Sequence, residues 1–397
     1  MFIEQQSHYR CVESNTGAVT PGCFVVTNAT RFTLEGHPWR VAGANNYYLS
    51  FGCDAMVRSV FELASRMGLN TLRTGAFLDC GSALPGTPPA NAKDGVYFHY
   101  WNAAEGKPDF NDGPDGLERL DRTIQLAEQY GIRLILPLVN YWPDFGGVDQ
   151  YLQWFGLRER ADFYRHPATK AAYRAWAEHL LLRVNTRTGR LYRDEPAILA
   201  WELANEPRCV NAQGESMSGG VDTLLNWASE MSAFLKTLDP NHLVGVGDEG
   251  YFQRRFAFRN RLYNGSHGVD CEALLTIPTV DFGTCHLYPG FAPKEEPDTF
   301  GAHWIREHIE AGERADKPML IEEFGVKPDS GTPRDALFQI WLDEVCSSRG
   351  AGALVWMIAA TGPDGEPYPD YDGYTVRCPE DVPSVCNFAR SLQKVDR

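Results

Sequence analysis

The sequence predicts an α/β fold in which eight parallel strands alternate with helices and close into a barrel. Eight short apolar runs recur along the chain, each followed by a polar or aromatic cluster and then by a stretch that can form a helix. Runs that are apolar on both faces are typical of a parallel sheet, and eight such units are the number that closes a (β/α)8 TIM barrel. We expect one domain over residues 1–397.

The eight runs are spread over most of the chain, and the segments between them are long enough for crossover helices. In chain order the runs read RVAGANNYYL (40–49), TLRTGAF (71–77), IRLILPLVNYW (132–142), AILAWELANEP (197–207), HLVGVGDEG (242–250), VDFGTCHLYP (280–289), PMLIEEFG (318–325) and GALVWMI (352–358).

Two of the intervening segments show clear helical periodicity. Apolar residues recur at helical spacing in 53–68 and in 116–131, at Val57, Val60, Phe61, Ala64 and Met67 and at Leu117, Leu120, Ile124 and Ala127. Gly68 and Gly131 end these segments, and glycine is common just beyond a helix C-terminus. Both segments are predicted to be helices.

Three further segments complete the predicted architecture. Residues 24–39 are predicted to form an N-terminal β-hairpin at the barrel bottom. Two long segments rich in Gly, Pro, Asp and aromatic residues, about 78–112 and 360–380, follow the second and eighth runs. Because loops that follow strands lie at the C-terminal face of a barrel, we expect both to shape access to a site there.

The composition limits the classes of partner and compartment. A net charge of −15 disfavours nucleic acid or an anionic membrane, because both would be repelled. No apolar run reaches the roughly 18 residues of a membrane span. Ten cysteines without a metal-ligand spacing suggest disulfide bonds, so we expect a secreted protein, although no signal peptide is visible in MFIEQQSHYRC (1–11).

Polar or aromatic residues end every run, and in a barrel these ends meet at one mouth. A polar residue at one strand end is ordinarily a helix cap or part of an ion pair, whereas eight such ends in register indicate a site. The residues are Asn45 and Asn46, Arg73, Asn140 and Trp142, Asn205 and Glu206, Asp248 and Glu249, His286 and Tyr288, Glu322 and Glu323, and Trp356.

Two carboxylates of this set can face one substrate bond. Glu206 ends the fourth run and Glu323 the seventh, across the mouth from each other. Hydrolysis of a sugar acetal requires such a pair, an acid that protonates the leaving oxygen and a carboxylate that attacks or shields the sugar cation. Aromatic and amide side chains nearby would stack on sugar rings and bond their hydroxyls.

Eight longer motifs occur in an order that a known family shares: GANNYYL, LRTGAF, GPDGLERLD, LVNYWPDFGG, ILAWELANEPRC, LDPNHLVGVGDEG, VDFGTCHLYP and PMLIEEFG. They cover roughly residues 24–358, and through them the chain resembles the retaining β-mannanases of glycoside hydrolase family 5, in clan A. The resemblance implies an endo-1,4-β-mannosidase on a TIM barrel that needs no metal or organic cofactor.

The resemblance also implies roles for individual residues. Glu206 would be the acid/base and Glu323 the nucleophile, with Arg73 and Tyr288 around Glu323 and His286 hydrogen-bonded in the same ring. Asn205 would bind the sugar 2-hydroxyl, Trp356 would form the sugar platform, and Trp142 and Arg208 would contact the leaving group. The full set expected to bind substrate is Arg73, Asn140, Trp142, Asn205, Arg208, Glu249, His286, Tyr288 and Trp356.

Alternation along a strand should point Glu322 and Glu323 to opposite faces, and periodicity does not select the one at the mouth. Only the carboxylate directly before Phe324 and Gly325 matches the family motif, so Glu322 is expected to be an ion-pair partner. For Glu249 and Asp248 we expect supporting hydrogen bonds rather than direct chemistry.

Three other functions remain open. The long segments 78–112 and 360–380 could close one end of the cleft, as an exo-acting β-mannosidase or mannobiohydrolase would require. A β-1,4-glucanase would use the same fold, and an inactive barrel could serve as a carbohydrate-binding protein. In each case we expect a monomer whose partner is a polysaccharide or oligosaccharide, with no nucleic-acid or membrane partner.

Overall fold

The structure is a computed structural model that describes residues 23–84, 86–257, 259–291, 296–328, 331 and 333–395, with side chains up to residue 392. The segment MFIEQQSHYRC (1–11), whose sequence shows no signal peptide, lies outside these residues.

The described residues form strands β1 to β14 in three sheets. In chain order the strands span Val25–Asn28, Arg31–Leu34, His37–Trp39, Val41–Asn45, Thr71–Arg73, Asp79–Ala83, His99–Asn102, Lys107–Phe110, Arg133–Pro137, Ile198–Glu202, Leu243–Gly245, Gly283–Leu287, Met319–Phe324 and Gly352–Val355. Each of the eight predicted runs contains one strand of the central sheet.

The central sheet is an eight-stranded parallel sheet that curls into a barrel. Its order is β11-β10-β9-β5-β4-β14-β13-β12. The two end strands, β11 and β12, meet where Asp281 N donates to Val244 O at 2.8 Å and His286 N donates to Glu249 O at 3.1 Å. The predicted TIM barrel is confirmed, and its strand ends point to one mouth.

A small antiparallel sheet covers the opposite end of the barrel. Strands β1, β2 and β3 pair in that order, so the predicted hairpin over 24–39 carries a third strand. Val25 and Phe32 pack into an apolar cluster with barrel residues, among them Ile135, Leu320 and Leu354. Buried apolar side chains thus fill the barrel bottom, so the mouth is its polar end.

Ten helices, α1 to α10, surround the barrel in the described part. They span Asp54–Met67, Glu118–Tyr130, Gly147–Trp154, Ala161–Arg165, Pro167–Leu181, Gly220–Leu238, Cys271–Leu275, Pro297–Ala315, Arg334–Ser347 and Pro383–Val395. The first two confirm the helices predicted within 53–68 and 116–131. They end at Gly68 and Gly131, whose φ angles of 78° and 67° are in the left-handed region that glycine adopts without strain.

The long segment 78–112 is an ordered subdomain of the mouth rather than an irregular loop. Strands β6, β7 and β8 form a three-stranded sheet within it. Asp79 N donates to Phe145 O at 2.9 Å, and the following Gly146 has φ 93°, where a Cβ would lie 1.9 Å from Asp79 O. Only glycine allows this close approach, which holds the small sheet against the loop after β9.

The described part of the chain contains neither a disulfide bond nor a helix that could span a membrane. Within the described residues, the nine cysteines are all free thiols, so the expectation of disulfide bonds is wrong for this part of the chain. The thiols of Cys209, Cys271 and Cys285 pack as small apolar groups in the core. No helix among the described residues is long and apolar enough to cross a bilayer.

Candidate active site

A cleft of about 1120 Å³ opens at the C-terminal mouth of the barrel. All the residues predicted to be catalytic or to bind substrate line it, except His286, which is fully buried. The predicted residues that line it are Arg73, Asn140, Trp142, Asn205, Glu206, Arg208, Glu249, Tyr288, Glu323 and Trp356. The structure therefore brings the predicted set together.

The two predicted catalytic carboxyl groups lie close to each other at the centre of this cleft. A carboxylate oxygen of Glu206, one of Glu323 and a ring nitrogen of His286 are all within 4.8 Å of one another. Carboxyl groups about 5–5.5 Å apart serve double displacement, whereas inverting enzymes hold theirs about 6.5–9.5 Å apart to admit a water molecule. The separation fits the retaining arrangement.

Glu206 is held in an unusual backbone conformation just after β10. Its φ of 51° is in the left-handed region, and its N–H donates to Gly247 O at 2.8 Å. Trp142 Nε1 donates to one carboxylate oxygen at 2.5 Å, and His286 Nδ1 contacts the other at 2.6 Å. Burial acts to raise the pKa of Glu206, but the His286 and Trp142 contacts lower it below its usual value.

Glu323 accepts hydrogen bonds on both of its oxygens. Arg73 Nη1 donates to Oε1 at 2.8 Å, and the Tyr288 hydroxyl donates to Oε2 at 2.6 Å. Burial raises the pKa of Glu323 above its usual value, while His286 and Arg73 act in the opposite direction. The two donors fix the orientation of the carboxylate, which a nucleophile needs.

Glu322 also points into the barrel, so the expectation that Glu322 and Glu323 lie on opposite faces is wrong. The pairing register of β12 and β13 jumps from Cys285 with Ile321 to His286 with Glu323. Glu322 is the extra residue of this irregularity. Its Oε2 lies 3.3 Å from Arg73 Nη2 and 3.3 Å from His286 Nε2, so Glu322 does take part in ion pairs as expected.

Arg73 is the central cation of the floor, and its three nitrogens contact five oxygens. Nη1 contacts Glu323 at 2.8 Å and Asn45 at 3.3 Å. Nη2 contacts Asn205 at 2.9 Å and Glu322 at 3.3 Å, and Nε donates to Glu202 at 2.8 Å. All five N–H groups of a guanidinium thus face an oxygen, so this side chain has one orientation.

Glu202 was not among the residues predicted for the site. It is the last residue of β10 and is fully buried. The signal was present, because Glu202 is the one charged residue within the apolar part of its run, residues 197–204. Charged residues are almost never fully buried unless they are paired.

His286 has both ring nitrogens against carboxylates, Nδ1 at Glu206 and Nε2 at Glu322. Burial alone would lower the pKa of His286. The nearby carboxylates of Glu323, Glu206 and Glu322 nevertheless raise this pKa well above its usual range. The ring is therefore a cation that donates from both nitrogens. Glu206, His286 and Glu323 are also close enough to one another to be spaced as metal ligands could be.

The amides Asn205 and Asn140 form a chain that starts at Arg73. Arg73 Nη2 donates to Asn205 Oδ1, which leaves the Asn205 amide nitrogen to donate to Asn140 Oδ1 at 3.0 Å. Asn140 Nδ2 in turn donates to Asp144 O at 3.0 Å. These hydrogen bonds fix the orientation of both amide groups.

A second set of contacts holds Arg208 on the Trp142 side of the cleft. Glu249 binds Arg208 through two hydrogen bonds of 2.6 Å, and the guanidinium lies 4.9 Å from the centre of the Trp142 ring. Tyr251, which the sequence did not indicate, donates to Glu249 at 2.8 Å. Burial raises the pKa of Glu249 to about 7. Because both Glu249 oxygens are occupied, Glu249 supports Arg208, as expected.

Trp356 lies on the other side, at the end of β14. Its Nε1 donates to Asp372 Oδ2 at 2.7 Å, and its peptide bond to Met357 is cis. Asp372 belongs to the long segment 360–380, which also contributes Tyr368, Tyr371 and Tyr374 to the cleft lining. The sequence predicted that this segment shapes the mouth, and the structure confirms it.

Comparisons with known proteins agree with this geometry. A family model described as GH family 5 β-mannosidase-like matches residues 23–348. A curated relative from Aspergillus flavus, a probable mannan endo-1,4-β-mannosidase A, is 36% identical over 375 residues, which are 94% of this chain and 89% of the relative.

Solved structures give the same result. An endo-1,4-β-mannanase from Rhizomucor miehei is 34% identical and has a TM-score of 0.82, with 94% of this chain and 99% of that chain covered. A hyperthermostable endo-1,4-β-D-mannanase from Thermotoga petrophila is 38% identical with a TM-score of 0.76, covering 90% of this chain and 100% of that chain.

Proposed function

The chain belongs to the β-mannosidase-like group of glycoside hydrolase family 5, and on this premise we propose that it is an endo-acting β-1,4-mannanase that works with net retention. Its substrate would be mannan, galactomannan or glucomannan. The observation that carries the proposal is the short separation of Glu206 and Glu323, within 4.8 Å between carboxylate oxygens, in a cleft lined by aromatic and amide side chains.

In the first step, Glu206 donates a proton to the glycosidic oxygen and the Glu323 carboxylate attacks the anomeric carbon. The bond between that carbon and the leaving oxygen breaks, and an ester forms between the sugar and Glu323. Arg73 and the Tyr288 hydroxyl hold the two Glu323 oxygens in place as its negative charge is lost to the ester.

The proton for this step is supplied within the Glu206 and His286 contact. The His286 contact lowers the pKa of Glu206, and the surrounding carboxylates raise the pKa of His286, so the proton rests on His286 Nδ1, 2.6 Å from the Glu206 oxygen. Transfer across this hydrogen bond loads Glu206 as the acid, and the pair titrates as a unit.

In the second step, Glu206 acts as the base. It accepts a proton from a water molecule whose oxygen attacks the anomeric carbon, and the bond to Glu323 breaks. Two inversions at the same carbon give net retention. Removal of the Trp142 hydrogen bond would weaken Glu206 as an acid or base, because the indole N–H fixes the carboxyl group at 2.5 Å.

The remaining predicted residues would bind the sugars on either side of the broken bond. Asn205 would bond the 2-hydroxyl, whose orientation distinguishes mannose from glucose, and Trp356 would stack on the same sugar. Asn140 would help to orient Asn205. Arg208 and Trp142, supported by Glu249, would contact the leaving sugar chain.

A time course of digestion tests the proposal. Linear mannan, galactomannan, glucomannan and cellulose are incubated with the protein, and the products are separated by size. We expect a spread of manno-oligosaccharides from the start. One small product that accumulates from the chain ends would instead establish the exo-acting alternative. Hydrolysis of cellulose but not of mannan would establish a glucanase. Binding to mannan without new reducing ends would establish a carbohydrate-binding protein.

We propose that the enzyme acts outside the cell as a monomer with one catalytic domain over residues 1–397. The support for secretion is the substrate class, since a mannan polymer is too large to enter a cell. The cysteine count no longer supports it, because the described cysteines are free thiols.

A further inference from the structure

Beneath the catalytic pair, two buried carboxyl groups lie side by side. Glu202 and Glu322 are both fully buried. Arg73 Nε donates to Glu202 Oε2 at 2.8 Å, and Arg73 Nη2 lies 3.3 Å from Glu322 Oε2. Because Nε–H and one Nη2–H point from the same edge of a guanidinium, the two carboxyl groups are neighbours along that edge.

The second oxygen of each carboxyl group has no N–H or O–H donor. Within the described residues, Glu202 Oε1 and Glu322 Oε1 are both buried atoms without a hydrogen-bond partner. The two carboxyl groups are, however, within hydrogen-bonding reach of each other. Two ionised carboxylates only accept and repel each other, so a hydrogen bond between them requires a proton on one of the two.

The surroundings decide which group holds that proton. Glu322 faces two cations, Arg73 and His286, each at 3.3 Å, whereas Glu202 faces Arg73 alone. Burial alone would raise the pKa of Glu322, but these contacts lower this pKa to about 2. Burial raises the pKa of Glu202 well above its usual range despite Arg73. The stable arrangement is a neutral Glu202 and an ionised Glu322.

We infer that Glu202 and Glu322 are a proton-sharing pair of positioning residues, in which neutral Glu202 donates to the Glu322 carboxylate and this carboxylate holds His286 as an imidazolium against Glu206. The inference deepens the proposed function and rests on it in one respect, the role of Glu206 as the acid/base. Neither positioning residue touches substrate, and each acts through Arg73 or His286.

The charges around His286 make this arrangement necessary. Four carboxyl groups, those of Glu202, Glu206, Glu322 and Glu323, share two cations, Arg73 and His286. The neighbouring Asp248 also interacts with His286 and Glu322. If every carboxyl group were ionised, the buried floor would carry a large excess of negative charge, which a dry site disfavours strongly. A proton kept on Glu202 reduces this excess without weakening the contact between Glu322 and His286.

Two isosteric variants separate the neutral member from the charged one. In Glu202→Gln, the new amide still donates to Glu322 and accepts from Arg73, so we expect kcat on mannan to fall less than about fivefold. In Glu322→Gln, His286 loses the carboxylate that stabilises its positive charge. We expect kcat to fall on the order of 100-fold because the acid is no longer oriented and protonated.

The pH dependence of activity distinguishes a positioning role of Glu322 from a merely structural one, because a structural role would leave the pH profile unchanged. The basic limb of kcat/KM reports loss of the proton shared by His286 and Glu206. In Glu322→Gln this limb should move to lower pH by about one unit, since an imidazolium without its carboxylate loses its proton more easily. In Glu202→Gln the limb should stay where it is. Equal losses in the two variants, a larger loss in Glu202→Gln, or an unmoved limb in Glu322→Gln would overturn the inference.

Infrared difference spectra give a test that does not require turnover or a folded Glu322 variant. The wild type at pH 7 should show a protonated carboxylic acid C=O band that is absent from Glu202→Gln. A difference spectrum without that band would overturn the inference even in an active enzyme. Failure of the proposed function is distinguishable, because the wild type itself would then release no reducing ends from mannan.

Discussion

The floor and the rim of the cleft are built in different ways. The floor residues Arg73, Glu202, His286 and Glu322 come from barrel strands, are at most 3% exposed, and each contacts at least one oppositely charged or ionisable partner. The rim comes from the long segments 78–112 and 360–380, where Tyr371 is 71% exposed. The floor has one arrangement fixed by ion pairs, and the rim offers aromatic surface to whatever chain lies over it.

This difference separates two tasks. Groups that move protons and electrons need fixed positions, and barrel strands with paired charges supply them. Groups that select the length of a sugar chain need surface area along the cleft, and loops supply it. Changes that break the ion pairs of the floor should therefore reduce turnover of every substrate, whereas changes in the rim should alter which substrates and products are favoured.

The largest effect is expected from the two carboxylates proposed to be catalytic. Glu206→Ala and Glu323→Ala should each reduce kcat on mannan on the order of 10⁴-fold, while the folded state is kept. On an aryl β-mannoside with a good leaving group, Glu206→Ala should recover much of the first step, because that bond breaks without an acid. Glu323→Ala should recover nothing. Burst kinetics on both substrates check this, and near-normal turnover by either variant on mannan would refute the assignment.

Arg73→Lys should have the next largest effect. A lysine cannot contact the five oxygens that the guanidinium reaches, so the floor would lose its orientation, and we expect kcat to fall on the order of 100-fold. The unfolding free energy should fall by about 1–3 kcal/mol, because buried oxygens lose their donors. The matched control is Arg306→Lys, since Arg306 pairs with Glu344 at the surface. Similar losses of kcat and of unfolding free energy in both variants would contradict the central role of Arg73 in the floor.

Asp248 should make the stability of the floor depend on pH. It is 2% exposed, and burial raises its pKa to about 7. A raised folded-state pKa means that the folded protein holds the proton more tightly than the unfolded chain. This stabilisation is complete below the unfolded pKa of about 3.9 and is lost as the pH rises through about 7.

Asp248→Asn removes this titration and keeps an acceptor for Gly250 N, which contacts Asp248 at 3.1 Å. Urea unfolding measures the unfolding free energy at pH 5 and at pH 8. The loss of unfolding free energy from pH 5 to pH 8 should be about 2–4 kcal/mol smaller in the variant than in the wild type. Parallel pH dependences in the two proteins would contradict the role of Asp248.

The smallest effect is expected at the rim. Tyr371→Ala removes an exposed ring that packs edge-on against Tyr368, with ring centres 5.9 Å apart. We expect unchanged kcat/KM on a short substrate such as mannotriose, and a loss of about fivefold on mannohexaose with a shifted cleavage pattern. Phe256→Ala is the matched control, because Phe256 is 88% exposed but does not line the cleft. Equal effects on both chain lengths would place Tyr371 outside the substrate path.

The sequence predicted the floor better than the rim, for physical reasons. Each barrel strand is a short apolar run, and a residue at its end must point to the mouth, so Arg73, Asn205 and Glu323 could be located from periodicity and motif order. The barrel and its bottom sheet were predicted correctly for the same reason.

Two predictions about the floor were wrong or missing, one because of a local irregularity in a strand and the other because of a buried ion pair. Alternation predicted Glu322 and Glu323 on opposite faces, but the register jump in β13 turns both toward Arg73. Glu202 was missed because it lies inside an apolar run, and only its contact with Arg73 and Glu322 explains its burial.

The rim could not be predicted in detail because its order comes from contacts distant in sequence. The sheet of β6 to β8 depends on a glycine after β9, at Gly146, and Trp356 depends on Asp372 across a loop. The prediction of disulfide bonds from the cysteine count was also wrong for the described residues, since their thiols are free and several of them pack in the core.

The most direct test of the central claim is the configuration of the first products. Proton NMR of mannohexaose hydrolysis in its first minutes resolves the anomeric signals of new reducing ends before they equilibrate. A close Glu206 and Glu323 pair acting by double displacement predicts that new ends appear as the β-anomer and only later convert to the α-anomer. New ends that appear first as the α-anomer would contradict the account.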